Sequence, residues 1–228
     1  AGVFTSNVVK AAPVMWDKEV VAHSPYVQAV VVNSGIANAC TGTQGYECCR
    51  KTADRAAELL DLSADAVLVA STGVIGSQIP VDRILAGVDK LVQDKKDTIE
   101  AGTMAAEAIM TTDTVSKQAA VQIELDGRTV TVGGMCKGSG MIHPNMCTML
   151  GFVTTDIAIS KELLQEALSE DVVDTFNMVS VDGDTSTNDT LVVLANGMAG
   201  NREIMSKDEN YYKFTEALHY VNQTLAKK

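Results

Sequence analysis

AAVQIELDGRTVTVGGM (Ala119–Met135) sets two alternating apolar runs on either side of Asp126-Gly127. Period-two alternation marks a strand with one buried face. Asp-Gly is a pair suited to a type I′ turn, whose two central residues both take positive φ. The stretch predicts an antiparallel hairpin, which argues against a purely parallel, doubly wound sheet.

Downstream, the second strand runs directly into KGSGMIHPNMCTML (Lys137–Leu150), where Gly138, Ser139, Gly140 and Pro144 impose an irregular loop. Beyond it MLGFV, followed by TTDIAI, reads as a buried strand. Ser160 then caps an amphipathic helix over KELLQEALSEDVVDTFNMV. VDGDTSTNDT reads as a solvated polar loop: it has three Asp, but it lacks the terminal Glu of a calcium-binding EF-hand loop. TLVVLANG is a strand, and an amphipathic helix runs from about Asp208 to the end.

Upstream, VQAVVVNSG (Val27–Gly35) reads as a buried strand and a helix is expected over Gly45–Leu62. DAVLVASTGVIG (Asp65–Gly76) is a β-branched strand expected to break at Ser71-Thr72-Gly73. Pro80 suits the first turn of the next helix. Asp97 and Glu100 form a capping box for DTIEAGTMAAEAIM, which stops at Thr111-Thr112-Asp113-Thr114. Strands alternating with helices, together with a hairpin and directly successive strands, predict an α+β fold with mixed or antiparallel sheets layered with helices.

The chain of 228 residues is 46% hydrophobic, enough to bury a substantial core, and its net charge of -11 with scattered Lys and Arg argues against nucleic acid or an anionic membrane as partner. No apolar run reaches the roughly 18 residues of a membrane span. Five cysteines without C-x-x-C spacing suit reduced thiols in a cytoplasm, and three unpaired histidines predict no metal site.

Thr148 is the candidate nucleophile, standing where a glycine loop meets a buried strand. A threonine needs a base, and its own α-amino group supplies one if the Cys147-Thr148 peptide is cut. Spacing alone favours the plainer reading, a threonine that merely begins a strand. Ser71-Thr72-Gly73 reads as a turn or as an oxyanion hole, in which glycine lets backbone N–H groups converge and the Thr72 hydroxyl adds a donor. Lys137 reads as a surface lysine, or as a group that holds a substrate carboxylate or steadies a developing negative charge. GGMCKGSG fails as a phosphate loop, because Cys136 precedes Lys137 and Gly138 follows it. A cysteine nucleophile at Cys136 or Cys147 lacks a suitably spaced histidine.

KGSGMIHPNM followed by a small residue and TML resembles the autocleavage site of the ornithine acetyltransferase family, the bifunctional glutamate N-acetyltransferases of arginine biosynthesis. AGVFTSNVVKAAPV, VVNSGIANACTG, STGVIG, MTTDT and SVDGDTSTNDT are similar to that family's other blocks, in the same order. The resemblance implies the self-cleaving Thr-nucleophile acyltransferase fold and a precursor cut between Cys147 and Thr148. Residues 1–147 would form an α fragment and residues 148–228 the first part of a β fragment, together one folded unit.

It further implies a ping-pong cycle through acetyl-Thr148, from N-acetyl-L-ornithine to L-glutamate. Thr72 and Gly73 would hold the oxyanion, and Thr111, Lys137 and Thr148 would contact substrate. No cofactor is implied, although some members accept acetyl-CoA as donor, and the working assembly would be an α2β2 heterotetramer. The family usually carries Ala where Cys147 stands, and the present chain ends before the family's DGEGATK block, so it is expected to be a fragment lacking both family termini. The alternatives are a Thr-nucleophile amide hydrolase or aminopeptidase of similar architecture, and an inactive truncated homologue.

Overall fold

The structure, a computed structural model, describes residues 1–140 and 149–228. Its strands are β1 (Gly2–Phe4), β2 (Ala29–Ile36), β3 (Val67–Val74), β4 (Lys117–Leu125), β5 (Arg128–Lys137), β6 (Leu150–Thr155) and β7 (Thr190–Ala195). Its helices are α1 (Ala12–His23), α2 (Gly42–Leu60), α3 (Val81–Asp94), α4 (Ile99–Ala108), α5 (Lys161–Asp174) and α6 (Glu209–Lys227).

Five strands form one mixed sheet in the order β1-β7-β6-β5-β4, in which only β6 and β7 are parallel. β2 and β3 form a separate parallel pair. The hairpin is as the sequence predicts: Leu125 pairs with Arg128, and Asp126 and Gly127 take φ of 52° and 71°. The α+β class with mixed sheets follows directly.

β6 shows how the layers meet. Successive side chains on a strand point to opposite faces. Val153 lies in a core built with α5 and α6, against such residues as Leu168, Phe214, Leu218 and Val221. Leu150 and Phe152 lie in a second core with Val67, Leu68 and Val69 of β3 and with Cys49 and Ala53 of α2. The central sheet is therefore buried on both faces, and the ends of β3, β5 and β6 are held between two packed layers. At about 25 cal/mol per Å² of apolar surface, each fully buried Leu or Phe contributes about 2 kcal/mol toward keeping them there.

Ser160 caps α5 by accepting from the Leu163 N–H, and Asp208 caps α6 by accepting from Tyr211. Other expectations need correction. β3 does not break at Ser71-Thr72-Gly73: it continues to Val74 because those residues pair in register with Asn33, Ser34 and Gly35 of β2. The cap of α4 is Thr98, whose hydroxyl accepts from the Ala101 N–H at 3.2 Å, and not the Asp97/Glu100 box. Pro80 stands just before α3 and not within it.

α5 ends at Asp174, and Phe176–Met178 form a separate 3-10 turn. Helix α2 starts three residues earlier than expected, and Asp61 in a left-handed conformation follows its end. VDGDTSTNDT is solvated only in its first half, since Ser186, Thr187, Asn188 and Asp189 are buried. α1 and β1 went unforeseen.

Candidate active site

Four chain segments converge near the end of β5. β3 contributes Thr72, the turn after α4 contributes Thr111 and Asp113, the end of β5 contributes Lys137 and Gly138, and the approach to β7 contributes Asn188 and Asp189.

Lys137 is at the centre. Its side chain is only 3% exposed. Its Nζ donates to Thr111 Oγ1 at 2.6 Å and to Thr72 Oγ1 at 3.3 Å, and it lies 3.7 Å from Asp113 Oδ2. A lysine buried this deeply needs such partners, because an unpaired ammonium away from water is strongly disfavoured. Burial lowers its pKa from the ordinary lysine range, while Asp113 pulls the other way.

The side chain of Asp113 is completely buried and saturated with donors. It accepts from Lys117 Nζ at 2.8 Å, from the Gly138 N–H at 2.6 Å and from the Thr111 N–H at 3.3 Å. Burial works against its charge, but these donors outweigh it and hold its carboxyl below the usual carboxylate range. Lys117 also donates to the Gly138 carbonyl. The backbone of Gly138, where the chain leaves β5, is thus gripped on its N–H by Asp113 and on its C=O by Lys117. Thr112 and Ser139 add a hydroxyl pair at 2.6 Å.

The other wall is tied by Asn188, whose Nδ2 donates to the carbonyls of Ala37 at 2.6 Å and Ser71 at 2.7 Å. This fixes the end of β3 to the segment after β2. Asp189 accepts from the Met149 N–H at 2.9 Å. Its second oxygen, buried, has no hydrogen-bond partner among the described residues, and burial pushes its pKa up to about 8.

Of the residues expected at the site, Thr72, Thr111 and Lys137 come together, and Gly73 follows Thr72 at the strand end. Cys147 and Thr148 lie outside the described residues. Asp113, Lys117, Asn188 and Asp189 were not singled out from the sequence. Asn188-Asp189 abutting the apolar run of β7 is the signal that could have found two of them, because polar residues so placed are seldom solvated. Clefts of about 310 Å³ beside Trp16 and Tyr46 and of about 450 Å³ along β2 are lined by other residues.

A family model, the ArgJ family, matches residues 1–228, the full length. The chain belongs to the ArgJ family. It is 54% identical over 228 residues to the arginine biosynthesis bifunctional protein ArgJ of Symbiobacterium thermophilum, with all of this chain matched to 56% of that protein. It is 49% identical over 230 residues to the ArgJ protein of Thermotoga neapolitana, again with all of this chain matched, to 57% of the relative. The chain thus spans little more than half the length of these ArgJ relatives.

Among solved structures, it is similar to the ArgJ protein of Bacillus halodurans, at 45% identity and a TM-score of 0.59, over 66% of this chain and 75% of that one. It is also similar to an ornithine acetyltransferase of Mycobacterium tuberculosis solved with ornithine, at 41% identity and a TM-score of 0.57, over 66% and 77%. These ArgJ structures share its α+β architecture. No helix among the described residues is long and apolar enough to cross a membrane.

Proposed function

We propose that this ArgJ-family chain carries the acyl-transfer centre of an acetyltransferase that moves acetyl from N-acetyl-L-ornithine to L-glutamate through acetyl-Thr148. The observation that carries the reading is the convergence of Lys137 on Thr111 and Thr72. It sets a buried ammonium beside the strand end proposed as the oxyanion hole. The ornithine bound to the Mycobacterium tuberculosis relative supports ornithine as the substrate class.

Maturation comes first. Thr148 Oγ attacks the Cys147 carbonyl carbon, the amide becomes an ester, and water hydrolyses the ester. Residues 1–147 and a fragment that begins with the free α-amino group of Thr148 result. That group, with an ordinary pKa of about 8, is partly neutral at pH 7 and takes the proton from Thr148 Oγ.

In the first half-reaction Oγ attacks the acetyl carbonyl of N-acetylornithine. The Thr72 hydroxyl already accepts from Lys137, so its own hydrogen remains to donate to the oxyanion alongside the Gly73 N–H. The C–N bond breaks, the departing amine takes the proton, and ornithine leaves. In the second, the glutamate amine attacks acetyl-Thr148 and Oγ recovers its proton. Lys137 and Thr111 hold substrate, and the α and β fragments work together as α2β2 in the cytoplasm.

The test is the fate of the acyl-enzyme. After loading with N-acetyl-L-ornithine and removal of excess donor, the acetyl group on Thr148 is expected to persist in buffer and to appear on L-glutamate when that is added. Equally fast loss to buffer would assign a hydrolase instead, and failure to load would contradict the proposal for this chain.

A further inference from the structure

The reading above gives Lys137 a role in holding substrate, but it does not explain why Lys137 sits in a buried cluster of two lysines and one aspartate. The distances are unequal. Asp113 Oδ1 is 2.8 Å from Lys117, whereas its Oδ2 is 3.7 Å from Lys137, beyond hydrogen-bond reach. Lys117 is also engaged at the Gly138 carbonyl, and Asp113 at two backbone N–H groups. Lys117 is thus engaged by Asp113 and the Gly138 carbonyl, while among the described residues the hydrogen bonds of Lys137 Nζ go to two neutral hydroxyls and its ion pair with Asp113 is the longer one.

Asp189, whose pKa burial pushes up to about 8, acts on Lys137 more weakly than Asp113 does. Among the described residues, two ammonium groups share the Asp113 carboxylate, and the more loosely paired of them is Lys137.

We propose that Asp113 and Lys117 are a matched pair of positioning residues for Lys137. Asp113 keeps Lys137 an ammonium, and Lys117 occupies Asp113 closely enough that the Lys137 charge stays free for an anionic group, the carboxylate of an amino-acid substrate. The carboxylate role rests on the function proposed above, but the charge arrangement does not. Without Asp113, two buried ammonium groups would face each other and Lys137 would shed its proton. Without Lys117, Asp113 would be released to pair fully with Lys137 and quench it. The same pair grips both backbone groups of Gly138, so the ammonium and the start of the segment leading to Thr148 are set by one device.

The test is an NMR titration of the chain labelled with ¹³C at lysine Cε, with the Lys137 signal assigned by its loss in Lys137→Met. Asp113→Asn is expected to lower the Lys137 titration midpoint by at least about one pH unit, a tenfold loss of proton affinity. Lys117→Gln is expected to raise it, and Asp113→Asn/Lys117→Gln to return it close to wild type. L-Glutamate added to the wild type should raise the midpoint, and should do so far less in Lys117→Gln. A midpoint unmoved or lowered in Lys117→Gln, or one in the double variant that falls well below wild type, would overturn the proposal even if Asp113→Asn alone did not fold. The expected shifts without acetyl transfer would instead defeat the proposed function and leave the charge arrangement standing.

Discussion

Gly73 lies against Gly35 so closely that a Cβ on Gly73 would stand 2.2 Å from the Gly35 carbonyl carbon. Both have φ that L side chains rarely adopt, +130° at Gly73 and +121° at Gly35. The parallel pairing of β2 and β3 delivers them to the same level, directly after Thr72. Gly73→Ala would therefore force the strand ends apart and strain its own backbone, a destabilisation of about 2–4 kcal/mol. Urea unfolding checks the size. A loss below about 0.5 kcal/mol would mean that this approach is not tight.

Asn188 is the corresponding tie from the other segment. Asn188→Ala leaves the buried carbonyls of Ala37 and Ser71 without their donor and is expected to cost about 3 kcal/mol. Asn188→Asp should be worse, because it sets carboxylate oxygens against two carbonyls. Unfolding curves rank the variants, and an Asp variant more stable than the Ala variant would contradict the assignment of the donors.

Asp17 and Asp189 give stability a distinctive pH dependence. Asp17 is fully buried and accepts from the Val69 N–H at 2.8 Å, its second oxygen has no hydrogen-bond partner among the described residues, and burial raises its pKa well above the usual range. Asp189 rises to about 8 for the same reason. A carboxyl whose pKa is higher folded than unfolded holds its proton longer in the native state. Its contribution is complete below the unfolded value of about 4 and is lost as pH climbs to the folded value. From pH 4 to 8, wild type should lose stability relative to both Asp17→Asn and Asp189→Asn. Parallel stability curves across that window would contradict the burial of these groups.

The hairpin was legible because Asp126-Gly127 encodes its φ signs locally, and the cap at Ser160 was legible because its hydroxyl serves an N–H three residues on. Helix α1 was not, since its buried set includes Pro13, Trp16 and Asp17 and presents no clean apolar stripe. Trp16 and Asp17 bond to the backbone of β3, at Val67 and Val69, a demand that only the fold creates. The site divides in the same way. Lys137 and Thr72 could be named from motifs beside glycines, whereas Asp113 acts on Lys137 across 23 intervening positions. Asn188 and Asp189 looked solvated because nothing local says that the ends of β2 and β3 close over them.

The central claim is that Thr148 becomes a free amino-terminal nucleophile. An intact-protein mass spectrum taken before and after addition of N-acetyl-L-ornithine tests it most directly. Two fragments divided between Cys147 and Thr148, with one acetyl gained only by the fragment beginning at Thr148, and a single uncut species without adduct from Thr148→Ala, are the predicted results. One intact mass with no acetyl from the unaltered chain, or cleavage that persists in Thr148→Ala, would contradict it.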